Sequence, residues 1–300
     1  MHELLYDPAP LPTEPSLLGE SPLWHTQENR LYWVDIPGRR VHRYDPQRAV
    51  HEHWTLDTEP GSIAPLLGGG LLLAARDGLW HFDAGHRTLL AKPPYDGARE
   101  RFNDGKADAQ GRFWVGTIYE PRDPANAALY RFADGKLERV FGDVTVSNGL
   151  AWSPDGRTMY WSDTKQHQVF AFDFDGADGS LSQRRVFASF PAKAADHDLS
   201  TYGGRPDGAA VDVEGCYWVA MFEGQRVLRF SPQGELLREV ALPVRCPTMP
   251  CFGGPDLKTM YITTARDKRP APELAQQPFA GCVLQMRVEV PGLPVNFARL

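Results

Sequence analysis

Ser147-Asn148-Gly149-Leu150-Ala151-Trp152-Ser153-Pro154-Asp155-Gly156-Arg157-Thr158-Met159-Tyr160-Trp161 lays out a plan that recurs along the chain: a polar residue, a short apolar run, a tight turn, an aromatic-rich run. Asn148 stands eight positions before the turn glycine Gly156, and the same offset joins Asn103 to Gly111 and Asp207 to Gly215. Carried outward, it places Glu20 before the turn at Glu28-Asn29, Ser62 before Gly70 and Thr248 before Asp256. Six positions are thereby equivalent: Glu20, Ser62, Asn103, Asn148, Asp207 and Thr248.

Each copy reads as a set of short strands. Val41-His42-Arg43-Tyr44-Asp45 alternates as a half-buried strand does, and the second copy runs Ser62 to Leu67, Leu71 to Ala75 and Leu79 to Asp83 with glycine at the corners. No copy reads as a helix. The spacing between copies is 41 to 45 residues, except for 59 between the fourth and fifth, where Ala192 to Tyr202 forms an insertion just before Asp207. A period near forty with about four strands per unit is the mark of propeller blades. The expected fold is all-β, a six-bladed β-propeller with a central metal site, forming one domain over residues 1–300. The fourth strand is seen in runs such as Arg139-Val140-Phe141 and Leu237 to Leu242, and for the last blade it is expected from the N-terminus around Leu4-Leu5-Tyr6. Trp33, Trp114, Trp161 and Trp218 recur in the second strand and read as packing between blades.

With 42% hydrophobic and 23% charged residues, the 300-residue chain can bury a sizeable core, and 28 Gly with 26 Pro suit many short strands joined by turns. Its net charge of −6 offers no basic surface for a phosphate backbone, so nucleic acid is not an expected partner. The start has neither a basic region nor a long apolar run, and no eighteen apolar residues stand together, which excludes a membrane helix and suggests a cytoplasmic location. Cys216, Cys246, Cys251 and Cys282 contain no C-x-x-C pair and are expected as free thiols. Monomer and dimer both stay open.

Closing the ring sets the six equivalent residues at one height around the channel. Glu20, Asn103, Asn148 and Asp207 carry the oxygen donors that hard cations take. Taken alone, Asn148-Gly149 and Asp207-Gly208 also read as turn dipeptides. Against this, the equivalent pairs Glu20-Ser21, Ser62-Ile63 and Thr248-Met249 have no turn chemistry, and every copy already has its turn eight residues on. No His-x-x-x-His spacing supports zinc, no Gly-x-Ser-x-Gly elbow supports a serine hydrolase, and Gly68-Gly69-Gly70 lacks the lysine of a phosphate loop.

Leu18 to Trp24, Arg101-Phe102-Asn103-Asp104-Gly105-Lys106, Ser147 to Ser153, Arg205-Pro206-Asp207-Gly208 and Cys251 to Asp256 resemble, in order, the motifs of the SMP-30/gluconolactonase/regucalcin family. The resemblance covers nearly the whole chain. It implies one divalent cation (Ca, Zn, Mn, Mg or Fe) on Glu20, Asn148 and Asp207, with Arg101 and Asn103 reaching the substrate. Register had already nominated the three ligands and Asn103, but not Arg101. Some members carry an acidic substrate contact after Gly-Thr-Met of the third blade, where this chain reads Gly116-Thr117-Ile118-Tyr119-Glu120. Glu120 is the residue placed to take that role, one step out of register.

The implied activity is hydrolysis of sugar lactones to aldonic acids. The cation polarises the lactone carbonyl, and a water beside it attacks with Asp207 as base. Two other readings share these residues: a calcium-binding regulatory propeller without catalysis, and a hydrolase of aromatic lactones or organophosphates.

Overall fold

The computed structural model describes residues 5–194 and 201–300. It is a six-bladed β-propeller, with six four-stranded antiparallel sheets. The inner strands are Gly19–His25, Pro60–Pro65, Glu100–Ala107, Ser147–Trp152, Arg205–Val211 and Pro247–Gly253, each beginning a blade at the position the eight-residue register assigns. In blades one to five the chain walks outward through three more strands. Blade six takes only three from its own stretch. Its outer strand is Ala9–Pro10, which pairs with Leu284 and Gln285. The N-terminal closure is as expected, but the strand is not Leu4-Leu5-Tyr6: Leu5 makes an isolated parallel bridge to Arg287, and Leu4 lies outside the described residues. An outermost strand needs a ladder on one side only, so Pro10 is tolerated there.

Among the described residues two short helices interrupt the strands, the 3-10 turn Thr164–Gln166 and the α-helix Ala271–Gln276 in the long connection of blade six. No helix among the described residues is long and apolar enough to cross a membrane. The tail from Gly292 to Arg299 straps the end of the channel where the inner strands finish. Leu293 N–H donates to Val211, Asn296 Nδ2 to Ala107, Ala298 N–H to Pro65 and Arg299 N–H to Gly111, tying blades five, three and two together. All four cysteines are free thiols.

The recurrent tryptophans are all fully buried, with the indole N–H satisfied in every case. Trp114 and Trp218 donate to Asp108 and Asp212, and Trp161 and Trp33 to Ser147 and Ser16. Three of them pack between blades, as expected: Trp114 against Trp152 and Phe174, Trp161 against Phe141, Trp218 against Phe252. Trp33 lies in the apolar cluster that joins blade one to Cys251, Tyr261 and Val283 of blade six, and it also stacks within its own blade on His42 at 4.8 Å and His51 at 5.3 Å.

Burial above all, then His51 and His53, holds the His42 imidazole down to about 3. An unfolded histidine titrates near 6.5. Between those values the unfolded chain binds the proton and the folded one does not, so stability present above pH 6.5 drains away as pH falls through that window. The urea midpoint is expected to fall further from pH 7 to pH 5 in the wild type than in His42→Gln. Parallel drops would remove His42 as a source of acid sensitivity.

Candidate functional site

Every inner strand slips register against its neighbour at the same point: between Glu20 and Leu23, Pro60 and Ser62, Phe102 and Gly105, Asn148 and Ala151, Pro206 and Ala209, Pro247 and Met249. A bulge takes a residue out of the ladder and re-aims its side chain. A belt of six bulges therefore stands at one height of the ring, at or beside the six equivalent polar residues. This also disposes of the turn reading of Asn148-Gly149 and Asp207-Gly208, because both pairs lie inside strands. Gly149 is needed there for two reasons: its φ is 64°, and a β-carbon would lie 2.4 Å from the Tyr217 hydroxyl oxygen.

Buried aspartates at the ends of the second strands fix how the chain enters two of these inner strands. Asp163 Oδ2 accepts from Thr145 N–H at 2.9 Å and Oδ1 from Val146 N–H at 3.3 Å, just before Asn148. Asp35 holds Leu17 and Leu18 in the same way, at 2.8 and 3.1 Å, just before Glu20.

Four of the six belt residues come together. Asn103 Nδ2 donates to Asn148 Oδ1 at 2.9 Å, and Asn148 Nδ2 donates to Thr164 Oγ1 at 2.8 Å. Glu20 and Asp207 are both buried and feel each other's charge. Burial first, then Asp207 and Asp104, pushes the Glu20 carboxyl well above the usual carboxylate range. Burial pushes Asp207 up to about 8, opposed by Arg205 and reinforced by Asp104. Among the described residues no side chain donates a hydrogen bond to either carboxylate. The other two positions share the register but not the site. Thr248 donates its hydroxyl to Gly19 O at 2.6 Å, a bond from blade six to blade one, and Ser62 Oγ fills the space that a β-carbon at Gly105 would need.

Arg101 is buried beside this group, and its guanidinium donates to Asn103 Oδ1 at 2.8 Å and Phe102 O at 3.0 Å. Glu120 stands on the rim, 3.9 Å from Arg101, with its carboxylate gripped by both terminal nitrogens of Arg76 at 2.9 and 2.8 Å. That grip holds its carboxyl below the usual range. Of the insertion, residues 195–200, including His197, lie outside the described residues. Tyr202 at its end is buried, its hydroxyl 2.7 Å from His167 Nε2.

Register alone missed Asp104 and Lys106. Asp104 Oδ2 accepts from Leu150 N–H at 2.9 Å while Oδ1 is buried without a partner, and Lys106 Nζ donates to Ala209 O. Strict alternation along a strand sends Asn103 and Asp104 to opposite faces. The bulge between Phe102 and Gly105 suspends that alternation. The charged pair in Asn103-Asp104-Gly105-Lys106 was the available signal. Beyond the belt, a cavity of about 1120 Å³ fills the tail end of the channel, lined by Lys106, Trp152, Cys251 and the strap at Leu293 to Asn296, but not by Glu20, Asn148 or Asp207.

Among the described residues, Asp212, Glu214 and Cys216 bring three ligand-type atoms within 4.8 Å. Their oxygens already have partners. Asp212 accepts from Glu214 N–H, Cys216 N–H, Trp218 Nε1 and Arg229 Nε, and Glu214 accepts from Arg229, so the group braces a turn.

The sequence profile of the SMP-30/Gluconolactonase/LRE-like region matches residues 18–266. The chain belongs to that family. Among its relatives there, a 6-deoxy-6-sulfogluconolactonase of Pseudomonas putida is 45% identical over 93% of this chain and 94% of its own. Regucalcin of Sus scrofa is 37% identical over 92% and 93%. The crystal structure of a regucalcin from Agrobacterium tumefaciens, described as a calcium-binding protein, superposes with a TM-score of 0.89 at 27% identity, covering 97% of each chain.

Proposed function

We propose that this propeller is a divalent-metal-dependent hydrolase that opens sugar lactones to aldonic acids. The carrying observation is the pair of buried carboxylates, Glu20 and Asp207, which among the described residues accept from no side chain and share the belt with the Asn148 amide. Carboxylate and amide oxygens are the donors a hard cation takes, so the residues present fit such an ion. When bound, a divalent cation supplies Lewis-acid polarisation of a carbonyl oxygen and keeps both carboxylates ionised.

The protein's own groups do the rest. Asn103, whose Nδ2 is spent on Ser147 O and Asn148 Oδ1, has an Oδ1 lone pair left beside the Arg101 bond to accept from a ring hydroxyl and so fix the substrate's orientation. Asp207 takes the proton from the attacking water. Glu120, held by Arg76, contributes an acceptor at the rim. The relatives support this reading: one acts on a sulfogluconolactone by name, and the regucalcin structure is described as calcium-binding.

The test follows acid release from a panel of aldonolactones by chelator-stripped protein, resupplied with single divalent ions. Turnover is expected to vanish on stripping and to return with at least one ion. Tight cation binding without lactone opening above the spontaneous rate would make this a binding propeller instead.

A further inference from the structure

We propose that Asp104 and Lys106 are positioning residues for the cation's ligands: from blade three, Asp104 locks the bulge that presents Asn148 and Lys106 the bulge that presents Asp207. This rests on the metal reading above, and its first readout needs no lactone. A strand register fixes an inner strand only against its own blade. Asn148 and Asp207 stand on different blades, so their separation is set by bonds that cross from blade to blade.

A bulge frees peptide groups from the ladder, and a buried peptide group left unpaired is costly, so another partner has to take it up. In blade four the gap falls between Asn148 and Ala151, which leaves Gly149 and Leu150 outside the pairing. Side chains of two other blades take them. Leu150 N–H donates to Asp104 Oδ2 at 2.9 Å, and Gly149 O accepts from the Tyr217 hydroxyl of blade five at 2.7 Å. In blade five the gap falls between Pro206 and Ala209. Ala209, where the ladder resumes, accepts at its carbonyl oxygen from Lys106 Nζ. Both ties from blade three therefore land two residues past a proposed ligand, Leu150 after Asn148 and Ala209 after Asp207. Lys106 passes over the neighbouring blade to reach its partner, and Tyr217 supplies the third side, so the bulges of blades three, four and five are joined as a triangle. Asp104 itself sits in the gap of blade three, between Phe102 and Gly105, which frees it from that blade's own pairing.

The experiment titrates chelator-stripped protein with Ca²⁺, Mn²⁺ and Zn²⁺ in a calorimeter, and adds the urea midpoint and the kcat and KM on an aldonolactone at saturating ion. Lys106→Met keeps the length of the side chain and removes the donor. On charge alone, taking a positive group away from a cation's surroundings tightens binding, so a loss has to come from geometry. Cation affinity is expected to fall roughly 10–100-fold, the cost of losing a group that orients a metal's ligands. Because Asp207 is also the proposed base, kcat should stay down by about tenfold or more at saturating ion, with KM little moved. Lys106→Arg, which keeps a donor, should recover part of both. Asp104→Ala should lose affinity by a similar factor and regain most of its kcat at saturating ion, since Asn148 moves no proton. Asp104→Asn, which keeps an oxygen for Leu150, should hold most of that affinity, separating the bond from the charge. Leu73→Ala, fully buried in blade two, which supplies no proposed ligand, should lower the urea midpoint without moving the affinity. Should Lys106→Met fail to fold, the double substitution Asp104→Asn/Lys106→Met strands no charge and carries the same test. Affinity unchanged or tighter in Lys106→Met overturns the assignment, as does a loss that Leu73→Ala matches at an equal drop in midpoint. If affinity responds as expected but no lactone opens, the positioning role stands and the hydrolase reading alone falls. A wild type that binds none of the three ions removes the metal reading and this assignment with it.

Discussion

Asp207→Asn is expected to lower kcat/KM for lactone opening by on the order of 10³, the scale at which enzymes lose a group that takes the proton in the reacting step. The amide keeps the shape and one oxygen, so the substitution isolates charge and basicity. Cation affinity should fall with activity, because one of two carboxylates has gone. The folded protein should not suffer. Burial that pushes Asp207 up to about 8 means that the native state holds this carboxylate at a cost, and a neutral amide removes the cost. Urea unfolding of the stripped variant at pH 9 should therefore be at least as demanding as that of the wild type. Turnover surviving within tenfold would take the base from Asp207. Loss of activity together with a lower unfolding midpoint would leave a folding defect as the explanation.

Trp218→Ala is the substitution expected to damage the ring most. The side chain is 1% exposed, meets Phe252 of blade six edge-on with centroids 6.3 Å apart, and donates to Asp212 at 2.9 Å. Truncation leaves a cavity between two blades and removes a donor from a fully buried carboxylate, for a loss of about 3–5 kcal/mol. Leu237→Ala, on the exposed outer strand of the same blade, should stay within about 0.5 kcal/mol. Comparing the two urea midpoints checks this, and similar values would show that the inter-blade tryptophans are not what holds neighbouring blades together.

The ring and its belt were legible because closure turns a linear offset into a shared height. One eight-residue register found all six inner strands and put Glu20, Asn103, Asn148 and Asp207 on one level. That register could not separate the members proposed as ligands from the structural ones, since Ser62 and Thr248 obey it equally and differ only in what lies opposite them. Asp104 and Lys106 were hidden by the bulge, which breaks the alternation by which strand faces are assigned. Ala9–Pro10 was hidden for another reason. An edge strand satisfied on one side needs neither β-branched residues nor a free N–H at each position, so nothing in Ala-Pro advertises it. Arg101 came from the resemblance, because the register marks one polar position per strand and Arg101 stands two residues before it, joined to Asn103 only by a side-chain hydrogen bond.

The junction of Ala9–Pro10 with Leu284 and Gln285 has a consequence for how the chain is made. On the ribosome, residues 9 and 10 emerge before any blade, and their partners after the inner strands of all six. Until blade six is in place the ring is an open crescent, with the inner strand of blade one flanked by blade two alone. Glu20 belongs to that first blade and Asp207 to the fifth, so the two carboxylates face each other only once the crescent shuts. Uptake of the cation proposed for them would then be a late event in biogenesis and a direct optical or radiometric signal of ring closure.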